Sequence, residues 1–289
     1  MAQRSEGVTV NSGEEHEMTF LDHLEILRWH IIRSVIAIVV FTALALSNKE
    51  LVFGQIILGP SKTSFFTYRK LCEIGAAINS PGLCIQDLPF TLQSRELSAQ
   101  FTMHLTSSLV VGLVLGFPYM FWEIWRFIKP GLYPREQKNS RGAVFFVSFL
   151  FLLGAVFGYF IVSPLSINFL ASYQVDPSIK NDIDLSSYVS MLVTLVLSCG
   201  LMFELPMVVF FLSRVGIVTP ELMKLYRKHA IVAIALVAAI LSPPDVLSMT
   251  LMGIPLLLLY EVSIHISWMV RKRDLARLNE QASEEISQP

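Results

Sequence analysis

Charge is what this sequence has little of. Asp, Glu, Lys and Arg make up 16% of its 289 residues, where soluble domains carry about a quarter. The missing charge is concentrated in long apolar blocks, which points to an integral membrane protein. Excess of one sign is missing too. The net charge is −1, so no broad basic field exists to hold nucleic acid. No Walker loop, HExxH, CxxC or dinucleotide fingerprint occurs, and no histidines fall at metal-ligand spacing. The residues therefore suggest no cofactor. Cysteine is scarce as well. Of the three, Cys199 lies in an apolar block, while Cys72 and Cys84 share the first long polar loop. If that loop faces an oxidising compartment those two can pair; two separate thiols are the alternative. The first twenty residues are polar and acidic, with no basic start or apolar h-region, so the first apolar block is expected to be a retained span.

What is present is a series of apolar segments near the roughly 20 residues a spanning helix needs. They run over about 27–47, 98–125, 142–171, 186–214, 228–241 and 247–270. The expected architecture is all-α and integral to the membrane, with six transmembrane helices between an acidic N-terminal tail (1–26) and a C-terminal tail (271–289). The tail from Asn279 onward is expected to be without regular structure. Ser242-Pro243-Pro244-Asp245 separates the last two spans, because paired prolines cannot continue a helix. The fifth core is short, which predicts a thinned bilayer or a sunken turn there.

Lysine and arginine decide the orientation. Arg126, Lys129, Arg135, Lys138 and Arg141 fill the loop at about 126–141, and Arg214, Lys224, Arg227 and Lys228 follow the fourth span. Arg271, Lys272, Arg273 and Arg277 follow the sixth. The loops on the other side are poor in them, apart from the long loop at about 48–97, where such residues count less. Both termini are therefore expected in the cytoplasm.

Charges inside spans are costly and tend to mark function. Glu204 lies near the middle of the fourth span, two residues before Pro206, and a polar cavity lined by Glu204 would explain both. Glu261 and His265, four apart, share a helix face and form a candidate pair. His104 reads as a hydrogen-bonded structural histidine. Glu136 stands among Arg135, Lys138 and Arg141; read alone, it is a solvated loop charge.

Taken in order, FLDHLEILR, Gly59-Pro60, FPYMFWEIWRFIKPGLYPRE, YFIVSPLSINFL, DLSSYVS, FELP and SPPDVLSMTLMGIPLLLLYEVSI resemble the twin-arginine translocase subunit TatC, over about Phe20 to Arg273. The resemblance implies a glove-shaped six-helix receptor of the bacterial cytoplasmic (inner) membrane. Such a receptor binds twin-arginine signal peptides of folded cargo and assembles with itself and with TatA- and TatB-type single-span partners for export driven by the proton-motive force. It implies signal-peptide contacts at Glu136, Phe127 and Arg28, and partner or transmembrane roles at Glu204, Pro60 and Asp245, with Tyr159 and Pro164 matching the third-span motif. Two positions depart. The motif glutamate is Ile26, with Glu25 one place earlier and about 100° around the helix, a signal-peptide contact only if its side chain reaches around. Met249 replaces a common glutamine, which removes a polar contact to a partner. The alternative reading is a proton-coupled transporter of a small solute, with Glu204 as its proton site. An intramembrane hydrolase ranks last, since no serine–histidine or paired-aspartate site is arranged within the spans.

Overall fold

The computed structural model describes residues 20–80, 82, 84–85, 88–129, 140–176, 178–179, 181–242 and 245–287. Nearly all of the regular structure is helical. Among the described residues, five helical stretches are long and apolar enough to cross a membrane: Leu24–Ser47, Ala99–Ile128, Gly142–Ser172, Leu185–Arg214 and Val246–Lys272, called here spans 1 to 4 and the last span. The expected fifth span is the helix Arg227–Leu241. Its 15 residues reach roughly 22 Å at 1.5 Å per residue, short of a hydrocarbon layer about 30 Å thick.

Several boundaries differ from the sequence expectation. The first helix begins at Phe20, so the FLDHLEILR motif is helical rather than tail. The final helix runs unbroken from Val246 to Ser287, through the segment expected to lack structure. Residues 271–287 contain no Pro or Gly and are rich in Arg, Leu, Ala and Glu, so nothing local stops the helix. The long loop after span 1 is also structured. It holds a π-helical segment Glu50–Ile57, the helix Phe66–Ala77 and the strand Thr91–Gln93. That strand pairs in parallel with Asp182–Asp184, so the loop after span 1 and the loop before span 4 form one small sheet. Cys72 and Cys84 are joined by a disulfide that closes the same loop.

Small residues set how closely the spans approach. Gly112 and Gly116, four apart, face span 1. A Cβ at Gly112 would lie 2.3 Å from Thr42 Oγ1 and 2.7 Å from Thr42 N. Gly154 and Gly158 repeat the device against span 4, where a Cβ at Gly154 would lie 2.5 Å from the Cys199 carbonyl oxygen. Between helices in lipid there is little hydrophobic drive, so close backbone approach and dispersion must hold them. Aromatic packing fills what remains: Phe117 and Phe151 stack at 3.6 Å between spans 2 and 3. Another cluster joins Val162, Leu195, Cys199, Ile234, Ala238, Met252 and Leu256, tying the short helix 227–241 to spans 3, 4 and the last. Val39, Phe146 and Leu258 point outward, as suits a lipid solvent.

Candidate functional site

At one end of spans 1 and 2 the sequence motifs come together. Glu25, Ile26 and Arg28 occupy the first turns of the helix that opens span 1, all three exposed. Glu25 and Arg28 make no hydrogen bond or ion pair with any described residue. One turn above Ile26, on the same face, His30 Nδ1 meets Glu123 Oε2 of span 2 at 2.5 Å. Tyr119 donates its hydroxyl to Glu123 Oε1 at 2.9 Å, and Arg33 adds coulombic attraction. Glu123 is 1% exposed, so this is a buried carboxylate satisfied on both oxygens. Phe127, one turn beyond Glu123, places its ring 6.2 Å from the His30 ring. Thus His30 bonds one residue of span 2 and touches another, and brings the HLEILR turn beside Phe127. Glu136 lies outside the described residues.

Glu123 and His30 were not singled out by the sequence reading. A signal was there: Glu123 sits in WEIW, a carboxylate inside an apolar span. What sequence could not supply was the partner, 93 residues away.

The second group of expected residues lies at the other end. Helix Ser163–Ser172 is bracketed by two of them. On one side, Pro60 is fully buried, and the Tyr68 hydroxyl is shared between the carbonyls of Pro60 (3.0 Å) and Pro164 (2.9 Å). Burial pushes the Tyr68 phenol well above its ordinary value, so it stays a donor. Tyr159 and Tyr188 donate to the carbonyls of Ile56 and Ile57, at 2.7 and 2.8 Å. Three tyrosines therefore take up carbonyls at or just beyond the end of the π-helical segment, that of Ile56 being shared with the Gly59 N–H. On the other side, Ser248 Oγ bonds Ser166 Oγ at 2.5 Å, and Asp245 accepts from Ser248 N at 2.6 Å. The second carboxylate oxygen of Asp245 is buried without a partner among the described residues. Met249 packs against the Leu195–Met252 cluster, so this side chain serves the apolar core.

Glu204 stands apart from both groups. The fourth span breaks there into Leu185–Met202 and Leu205–Arg214, with Glu204 as N-cap and Pro206 in the first turn. Proline has no N–H to give and is accommodated at a helix start. Both Glu204 carboxylate oxygens are buried and unbonded among the described residues, beside the Phe151 backbone. An apolar groove of about 220 Å³ runs between Ile56, Val111, Leu115, Val156, Leu192 and Val196, and Glu204 does not line it.

Two further expectations are corrected. Glu261 pairs with Arg227 rather than His265, through Nε–Oε1 at 2.7 Å and a second bond from Nη2 to Oε2. A guanidinium fork satisfies a carboxylate better than an imidazole can, and the short helix carries it into range. His104 packs edge-on against Phe53 at 6.2 Å, and its Nε2 has no hydrogen bond within the described structure.

Comparison with known proteins follows the same lines. The family model described as Sec-independent protein translocase protein (TatC) matches residues 22–255. A TatC protein of Blattabacterium sp. subsp. Periplaneta americana is 37% identical over 262 residues, covering 90% of this chain and 98% of the relative. One from Helicobacter pylori J99 is 46% identical over 163 residues, 56% of this chain and 65% of the relative. Among solved structures, a crystal structure of a twin-arginine translocase receptor, TatC, superposes with a TM-score of 0.66 at 31% identity, covering 86% of this chain and 99% of that one.

Proposed function

Because the chain belongs to the TatC family of Sec-independent protein translocase proteins, a family of membrane receptors and not of enzymes, we propose that it is the receptor of a Tat system. In this reading it binds the paired arginines of a signal peptide at the end of spans 1 and 2. Both termini and that end face the cytoplasm, and the short helix 227–241 crosses as a sixth span in a concave, glove-shaped bundle. The lysine and arginine bias of the loops supports the orientation, and so does the disulfide, which belongs to an oxidising compartment.

The observation that carries the proposal is the His30 link. It holds the HLEILR turn and Phe127 together, forming a floor with Glu25 and Arg28 exposed beside it. Two guanidiniums are best held by carboxylates through charge-assisted, bidentate bonds. Glu136 supplies one and Glu25 the other, while Phe127 packs against the signal. Ile26 cannot serve, so Glu136 carries the larger share. Glu204 and Asp245 belong to surfaces for TatA- or TatB-type partners and for self-association within the complex, while buried Pro60 and core-packed Met249 shape those surfaces from behind. Of these, the Glu204 carboxylate and the second carboxylate oxygen of Asp245 have the hydrogen-bonding capacity a partner helix could use. The small-solute transporter is not favoured, since the groove between the spans presents no polar side chain but Tyr159, already bonded to Ile56.

The test is site-specific crosslinking of a twin-arginine peptide from positions 25, 26, 127 and 136 in the detergent-solubilised complex. Crosslinks are expected at 25, 127 and 136 and should vanish in Glu136→Ala. Undiminished crosslinking in that variant would remove the site.

A further inference from the structure

The helix Phe66–Ala77, in the loop after span 1, has no part in the receptor reading. Its first turn fixes its height on the molecule. The Thr67 hydroxyl donates to the Phe160 carbonyl of span 3, and the Phe65 and Phe66 rings lie 5.7 and 5.9 Å from the Phe160 ring. The Tyr68 hydroxyl bonds the Pro60 and Pro164 carbonyls, and Lys62 Nζ reaches back to the Gly54 carbonyl of the π-helical segment at 2.8 Å. The disulfide at Cys72 then ties the helix to its own loop rather than to the bundle.

Span 3 shows where that height falls in a bilayer. Residues 143–162 form an apolar run without a charge, about the 20 residues that a hydrocarbon layer needs. Polar Ser163, Ser166, Asn168 and Ser172 follow in the helix Ser163–Ser172. The edge of the hydrocarbon therefore falls near Val162, and Phe160 lies just inside it. Leu153, Val156 and Ile161 are exposed, so the lipid-facing side of span 3 extends to the same level. The helix Phe66–Ala77 thus starts at the edge of the bilayer rather than above it.

Its sides differ as such a position requires. Tyr68 and Gly75, seven apart, are buried. Leu71, Ile74 and Ile78, at spacings of three and four, share one flank, and Ile74 and Ile78 are more than half exposed. Arg69 and Ala76, also seven apart, lie across the helix from them beside Glu73, all exposed. Lys70 stands between the two flanks and pairs with Glu73 at 2.6 Å, its apolar stem free to lie over the isoleucine side. In water the isoleucine flank is an unfavourable surface. At the bilayer edge it enters the hydrocarbon while Arg69 and Glu73 stay hydrated.

We infer that the helix Phe66–Ala77 is an interfacial anchor whose Leu71–Ile74–Ile78 flank inserts into the phospholipid layer around span 3. The lipid and the Phe160 contact together hold the loop that carries Pro60 and the disulfide against the bundle. Nothing in this depends on signal-peptide recognition at spans 1 and 2.

The test is spin labelling of a cysteine added at Ile74→Cys, Ile78→Cys, Arg69→Cys or Ala76→Cys, in the full chain in nanodiscs of phosphatidylglycerol and phosphatidylcholine. All four positions are exposed, and the parent is the blank, because Cys72 and Cys84 are bonded to each other and Cys199 is buried. Oxygen concentrates in hydrocarbon and a nickel chelate in water. Labels at 74 and 78 should relax faster with oxygen than with nickel, and labels at 69 and 76 the reverse. Adding Ile74→Asp should shift the label at 78 toward nickel. Nickel access at 74 and 78 equal to that at 69 and 76 would overturn the inference, since the flank would then face water. Shielding of 74 and 78 from both reagents would also overturn it, since a protein surface such as a second copy would then cover the flank.

Discussion

Replacing His30 by leucine tests the link on which the receptor site rests. In the parent, Glu123 is 1% exposed and held by His30 at 2.5 Å and by Tyr119 at 2.9 Å. His30→Leu leaves one oxygen facing apolar atoms. Removing one partner of a buried ion pair costs about 3–5 kcal/mol. The lower end applies here, because Tyr119 and the Arg33 charge remain and the cluster lies within two turns of the end of the span. A loss of about 3 kcal/mol corresponds to roughly 6 °C in Tm for a chain of this size. His30→Leu/Glu123→Leu removes the carboxylate as well, and replacing both partners with apolar groups is close to neutral. The double variant should therefore melt within about 2 °C of the parent. Thermal unfolding in detergent, followed by size-exclusion fluorescence, measures both. A single variant that melts like the parent, or a double variant no better than the single, would refute the reasoning.

Gly112→Ala should destabilise by about 1–3 kcal/mol through overpacking, since its Cβ would meet Thr42 backbone atoms at 2.7 and 2.9 Å. Thr42→Ala should fail to rescue it, while Gly253→Ala, with nothing within 4 Å, should melt no lower than the parent. Cys72→Ser opens the disulfide ring and should cost about 3 kcal/mol in the chain-entropy account. It should also let a membrane-impermeant maleimide label Cys84 from outside intact cells; labelling only after lysis would reverse the proposed orientation. Asp184 caps the fourth span, and the bond from Ser186, with those from the Ser186 and Arg95 backbone N–H groups, holds its carboxyl below the ordinary 3.8. A depressed carboxyl adds stability above its unfolded value that is lost as pH falls through the folded one. Asp184→Asn should thus lower Tm at neutral pH, and the gap to the parent should close below pH 3.8. A gap of constant size down to pH 3 would rule the cap out.

Much of the architecture could be read from pattern alone, because a lipid-spanning helix must satisfy every backbone group within itself and show an apolar surface all round. That constraint is local, so hydropathy marked the segments now seen as spans 1 to 4 and the last span. The break at Glu204 has a local cause as well, since Pro206 has no N–H, although the pattern alone reads as one span through it. Met249 was legible as a departure, though only the structure put it in a core cluster.

Pairing between distant segments was not legible. The link of His30 to Glu123 joins helices 93 residues apart, and either residue alone reads as an interfacial polar group. Arg227 wins Glu261 over His265 because the short helix lies against the last one, a fact of packing rather than of spacing. The Tyr68 hydroxyl between Pro60 and Pro164, and the strand pairing of 91–93 with 182–184, likewise needed folded loops that composition marks only as polar. Sequence determined which segments must be helices in lipid, since burying a backbone in hydrocarbon leaves no other choice. Tertiary structure decided which charge each buried charge meets, because that choice is made across interfaces whose closeness depends on glycines facing particular side chains.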